Sequence, residues 1–174
     1  MDRNLNELIR VIPDFPKPGI VFKDITPLIA DGDAFIECCN QIAKFAQDCD
    51  YVAGIEARGF IFASAVCAIA GKGFIPIRKS GKLPGQTISK SYDLEYGQAT
   101  LEIHSGLIDA GKRVLVVDDV LATGGTAVAA AQLLKQAGLV PTAVVFLLEI
   151  AQLGGRSQIA RALPGLQTHT ILAE

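Results

Sequence analysis

The chain has 174 residues, half of them hydrophobic and a fifth charged, with 16 basic against 18 acidic side chains. That length suits one domain able to bury roughly two-thirds of the surface its unfolded form exposes, and the composition excludes intrinsic disorder. A net charge of -2 excludes the basic footprint of a nucleic-acid or anionic-membrane binder, so neither partner is expected.

Residues 1–12 carry Leu5, Leu8, Ile9 and Ile12 at the spacing of a short amphipathic helix and lack the apolar block of an export signal. Residues 13–27, PDFPKPGIVFKDITP, hold too many prolines for a helix and read as a lid-like segment or a surface loop. Asp33 is placed to cap a helix reaching about residue 48, with Phe35, Ile36, Cys39, Ile42, Ala43 and Ala46 at helical spacing. A buried strand over 51–55, a small-residue helix over 59–70 and a strand over 74–78 follow. The longest uncharged run, residues 59–71, is shorter than the ~20 residues of a membrane span.

Residues 78–97 are polar and punctuated by glycine, and 92–96 with 99–104 predict an antiparallel hairpin turned with the help of Gly97. A strand over 114–118, a helix over 125–136 ended by Gly138, and a strand over 142–148 complete the pattern. Continuous apolar strands alternating with helices predict a single-domain, doubly wound parallel α/β sheet, whose ligands sit at the carboxyl ends of the strands.

Cys38, Cys39, Cys49 and Cys67 show no C-x-x-C spacing, and His104 and His169 lie far apart without a metal pattern. The cysteines read as reduced core residues of a cytoplasmic protein. No serine stands in a G-x-S-x-G elbow, which leaves a hydrolase triad unsupported.

The stretch VLVVDDVLATGGTA, 114–127, carries the clearest chemistry. Asp118 and Asp119 emerge at a strand end, and Ala122, Thr123, Gly124, Gly125 and Thr126 lead into a helix N-terminus. Converging N–H groups, the helix dipole and threonine hydroxyls suit one phosphate monoester. Neither a P-loop lysine nor G-x-G-x-x-G is present. Carboxylates beside a phosphate repel it unless they meet hydroxyls or a cation, and ribose 5-phosphate supplies the hydroxyls. Arg58 follows a neighbouring strand and is placed to meet a second anionic group.

FPKPGIVFKDITP at 15–27, GIEARGF at 54–60, IRKSGKLPG at 77–85, SYDLEYG at 91–97 and VVDDVLATGGT at 116–126 stand in one order along almost the whole chain. In these the chain resembles the type I phosphoribosyltransferases that bind 5-phosphoribosyl-1-diphosphate (PRPP) and, among them, those that act on adenine.

The resemblance implies an N-terminal hood and base-binding segment over 1–30, a flexible catalytic loop and hairpin over 79–102, and a homodimer. It implies purine salvage, adenine and PRPP giving AMP and diphosphate, with Mg²⁺ held mainly by PRPP and no protein ligand assigned to the metal. It places Ala57, Arg58 and Gly59 in a diphosphate loop with a cis peptide ahead of Ala57, joined at the diphosphate by Arg78, Lys79 and Lys82, with Arg78 a residue that reaches the neighbouring subunit's site. Glu95 lies near the reacting ribose and base, to move a proton or to stabilise positive charge, and Tyr96 belongs to the closing loop. Phe22 and Ile150 stack on opposite faces of adenine, and backbone groups of Val21, Phe22 and Lys23 read its edge. Lys23 departs from the arginine common there. The alternatives are a transferase for another purine base and a PRPP-sensing regulator without catalysis, against which the intact GKLPG and SYDLEYG segments argue.

Overall fold

A computed structural model of the protein describes residues 4–93 and 97–172. Five parallel strands make up most of a seven-stranded sheet: β3 (Tyr51–Ile55), β4 (Gly73–Lys79), β7 (Arg113–Leu121), β8 (Val140–Glu149) and the edge strand β9 (Gln167–Leu172). A hairpin of β5 (Thr87–Asp93) and β6 (Gln98–His104) extends it antiparallel, giving the order β5-β6-β4-β3-β7-β8-β9.

Helices cover both faces, which is why the central strands are apolar without alternation. Val52, Leu115, Val117 and Val145 point to one face, under α2 (Gly32–Ala43) and α3 (Gly59–Ala70). Ala53, Val114, Val116, Val144 and Phe146 point to the other, under α4 (Gly125–Gln136) and α5 (Gly155–Ala162). The small residues of α3 let it lie close: a Cβ on Gly54 of β3 would stand 2.8 Å from the Ala63 Cβ. The doubly wound α/β architecture is therefore the one the alternating pattern predicts.

The N-terminal region departs from expectation. Among the described residues of the 1–12 segment, only Leu5–Leu8 form a helical turn, of the 3-10 type, and Ile12 lies in β1 (Arg10–Pro13). β1 pairs antiparallel with β2 (Val21–Asp24), and α1 (Thr26–Ala30) follows. The proline-rich stretch is thus a two-stranded hood followed by a short helix, because Pro13 and Pro27 fall at a strand end and a first helical turn, where a missing N–H is tolerated. Helix α2 is capped by Asp31, whose carboxylate accepts from the Ala34 N–H at 3.1 Å, and Asp33 sits within its first turn. The second strand of the hairpin ends at His104, as the 99–104 alternation predicts, its first strand begins at Thr87, ahead of the expected 92, and α5 with β9 completes a C-terminal unit that the sequence reading left unassigned.

Candidate active site

The carboxyl ends of β3, β4 and β7 open into one cavity of about 440 Å³ lined by Glu56, Ala57, Arg58, Lys79, Tyr92, Asp118, Asp119 and Thr126 among others. A smaller cavity of about 70 Å³ adjoins it over Ala122, Thr123 and Gly124, sharing Asp118 and Thr126. The smaller one lies at the start of α4. Gly124 caps that helix at φ +85 with no side-chain hydrogen bond, so the first-turn N–H groups keep no cap partner there. Thr126 donates its hydroxyl to Tyr92 at 3.2 Å, linking the loop to the hairpin.

β7 runs through both aspartates to Leu121, and the Asp119 N–H donates to Asp118 at 2.9 Å. Burial, and then the neighbouring Asp119 charge, pushes the Asp118 carboxyl well above the usual carboxylate range. Asp119 is buried, and Arg58 Nε lies 2.7 Å from its Oδ2. No donor is aligned on that oxygen, so the contact is an ion pair rather than a formed hydrogen bond.

Arg58 opens α3 beside a cis peptide between Glu56 and Ala57, where the resemblance places one. Its guanidinium carbon stands 5.0 Å from the centroid of the Phe22 ring, a cation–π distance, and Phe15 meets that ring edge-on at 5.2 Å. The hood holds Phe22 in place through Arg10, which donates to Asp24 from Nη2 at 2.5 Å and from Nε at 3.1 Å. Hydrogen bonds from Thr26, and then Arg10, bring Asp24 down to about 2. Val21 is exposed and Lys23 half-buried beside Phe22, while Ile150 donates its N–H to Leu121 at 2.8 Å and stands at the end of β8.

Arg78 is fastened within its own chain. Its Nε and Nη2 each donate to Glu56 at 3.1 Å, and its Nη1 donates to the Lys82 carbonyl at 2.9 Å. Glu56 also accepts from the Lys79 N–H at 3.0 Å, and these bonds, Arg78 foremost, hold its carboxyl below the usual range. Glu102 accepts from the Ser80 hydroxyl at 2.7 Å and the Gly81 N–H at 3.1 Å. Glu56, Glu102 and Tyr92 shape the basic loop and the cavity wall, and sequence reasoning assigned them no such part. Glu56 stands two residues before Arg58 in the GIEARGF stretch, which was the available signal. Gly59 packs so tightly that a Cβ there would lie 2.8 Å from the Val117 carbonyl oxygen. Glu95 and Tyr96 lie outside the described residues.

Among the described residues no helix is long and apolar enough to cross a membrane, and no three His, Cys, Asp or Glu side chains gather as a metal cluster.

A phosphate-sized cup and a carboxylate pair at the sheet edge, with the flat Phe22 ring brought against Arg58 from the hood, define a class of protein that handles a phosphorylated sugar together with a planar partner. Residues 23–159 match the model of the phosphoribosyl transferase domain, and the chain belongs to that family. Within it, the chain is 51% identical over 166 residues to the adenine phosphoribosyltransferase of Streptomyces coelicolor, covering 94% of this chain and 91% of that one. The adenine phosphoribosyltransferase of Thermoanaerobacter pseudethanolicus superposes with a TM-score of 0.91 at 43% identity, covering 98% of each chain. That of Saccharomyces cerevisiae, solved with an imino-altritol bisphosphate and adenine, superposes at 0.89 with 34% identity, covering 97% of this chain and 96% of that one.

Proposed function

We propose that the protein transfers the phosphoribosyl group of PRPP to adenine, giving AMP and diphosphate in purine salvage. The observation that carries this is the single edge on which Arg58 bridges Asp119 at the sugar site and the Phe22 ring at the base site. The 5′-phosphate lies on the N–H groups of residues 124–126, and the ribose hydroxyls face Asp118 and Asp119.

The bond between C1′ and the diphosphate oxygen breaks, the diphosphate leaves with the electron pair, and N9 of adenine forms the new bond to C1′. Positive charge grows on the ribose as this happens, so carboxylates beside it stabilise the transition state more than the ground state. Ala57, Arg58 and Lys79 line the cavity on the side where the diphosphate departs, Gly59 completes the diphosphate loop beside them, and Arg78, paired with Glu56, donates to the carbonyl of Lys82, the further cation of this group. Adenine stacks on Phe22 with Ile150 opposite, its edge read by the backbone of Val21, Phe22 and Lys23. Glu95 takes the N9 proton, directly or through water, and Tyr96 closes with the loop.

Mg²⁺ bound together with PRPP would supply positive charge against the departing diphosphate; it would be held mainly by PRPP, and Asp118 and Asp119 are carboxylates at the cavity able to meet it, since this cation binds through substrate phosphates, waters and one or two carboxylates rather than a dedicated protein cage.

The active form is a homodimer in the cytoplasm. Ile36 on α2 with Ile61 and Ile69 on α3 present exposed apolar surface for a second copy, and the four buried cysteines are free thiols. Incubation with Mg²⁺, PRPP and each purine base in turn tests the reading. AMP with an equal amount of diphosphate supports it. IMP, GMP or XMP as the main product overturns the base assignment, and PRPP binding without any nucleotide points to a regulator.

A further inference from the structure

The phosphate loop rests against the start of α5. An added Cβ on Gly155 would lie 2.2 Å from the Ala122 carbonyl oxygen and 2.7 Å from Leu121 Cδ1. From the other side, a Cβ on Gly124 would lie 2.6 Å from the Gly155 carbonyl oxygen. Backbone meets backbone across this contact, and even a methyl group has no space between the two segments.

Arg156 fastens α5 in that position. It donates to Glu149 Oε2 from Nη2 at 2.6 Å and from Nε at 3.2 Å. It also donates to the Thr168 carbonyl at 2.5 Å and the Thr170 hydroxyl at 3.2 Å. Glu149 ends β8, and the two threonines belong to β9. One planar guanidinium therefore ties the first turn of α5 to both strands beside it, a task that needs the fork of arginine rather than the point charge of lysine.

We propose that Gly155 and Arg156 are positioning residues for the 5′-phosphate of PRPP, holding the 122–126 loop from behind in the shape that receives it. Neither touches the substrate, and the proposal rests on the transferase reading above. It extends the phosphate site to a segment some thirty residues beyond the Asp-Asp-to-Thr stretch. Displacement of such a loop by about an ångström costs on the order of a hundredfold in rate, because the donors no longer converge on the anion.

The test is Gly155→Ala in the full chain, with PRPP and adenine varied separately, thermal unfolding recorded, and ribose 5-phosphate binding followed by calorimetry. The KM for PRPP is expected to rise at least about tenfold and ribose 5-phosphate affinity to fall in parallel, with the KM for adenine within about twofold of wild type. Arg156→Gln should move the same constants in the same direction, and Arg156→Lys should fail to restore them. If Gly155→Ala does not fold, Arg156→Gln decides by the same split. A PRPP KM within about twofold of wild type overturns the proposal, as does an equal rise for both substrates, which a general loosening of the fold would give. Wild type that makes AMP while the variants keep its PRPP KM refutes the positioning role alone. Wild type that makes no nucleotide refutes the transferase reading beneath it.

Discussion

Arg58→Ala removes two contacts at once, and their sizes can be worked from the geometry. Breaking a fully buried ion pair costs about 3–5 kcal/mol, and an exposed pair is worth about 0.2–1 kcal/mol. The Asp119 side chain is 9% exposed and that of Arg58 37%, which places this pair between the two limits. A loss of about 1–3 kcal/mol follows, because Asp119 is left without its partner in a nearly dry site. The contact over Phe22 adds about 0.5–1 kcal/mol. Together these amount to roughly 1.5–4 kcal/mol, or a fall in Tm of roughly 3–16 °C for a domain of this size. Activity should fall further: loss of a cation that stabilises the leaving diphosphate lowers kcat/KM for PRPP by on the order of a hundredfold. The KM for adenine should rise too, since Phe22 loses the group that orders its ring. Thermal unfolding and steady-state assays with each substrate varied check this. An unchanged Tm together with an unchanged PRPP constant would show that Arg58 neither holds Asp119 nor serves the diphosphate.

Three further substitutions probe the same edge. Asp118 titrates above its unfolded value in the fold, so its charged form costs stability at neutral pH, and that cost lifts as pH falls through the raised value. Asp118→Asn should therefore raise Tm at neutral pH, lose this advantage on acidification, and lower turnover sharply; a lower Tm in unfolding scans across pH would contradict it. Glu56 titrates below its unfolded value, so its bonds to Arg78 stabilise the fold above the usual carboxylate range and fade as pH falls through the lowered value. Glu56→Gln should lower Tm at neutral pH, with a gap to wild type that closes on acidification; a gap independent of pH would exclude the charge as its origin. Gly59→Ala drives a methyl to 2.8 Å from the Val117 carbonyl and 2.9 Å from Asp118 Oδ1, costing about 1–3 kcal/mol by chemical denaturation. An alanine variant as stable and active as wild type would mean that Arg58 does not depend on this close approach.

The central layers were legible because burial on both faces writes an apolar run into the innermost parallel strands, and Val114–Val117 shows it plainly. The phosphate loop was legible for a similar reason: glycines and threonines after a strand serve the anion directly and locally. The two strands within the 1–30 segment were missed because β1 and β2 are only four residues each and, apart from buried Asp24, exposed or half-buried, so their pairing leaves little periodic trace. Asp31 was passed over as a cap because Asp33 stands two residues later, and only geometry separates them. α5 buries only Gly155 and Ile159 and otherwise carries charged, polar and alanine residues, which hides it from an apolar pattern. Glu56–Arg78, Glu102–Gly81 and Arg156–Glu149 join residues through the folded sheet edge, and no local spacing announces such pairs.

The central claim is that one site joins adenine to the ribose of PRPP. The measurement that tests it most directly is a competition: adenine, hypoxanthine, guanine and xanthine in equal amounts, limiting PRPP with Mg²⁺, and separation of the nucleotides formed. AMP as the dominant product, matched mole for mole by diphosphate, is the predicted result. A mixture led by another nucleotide, or PRPP consumed to ribose 5-phosphate without any nucleotide, would contradict it.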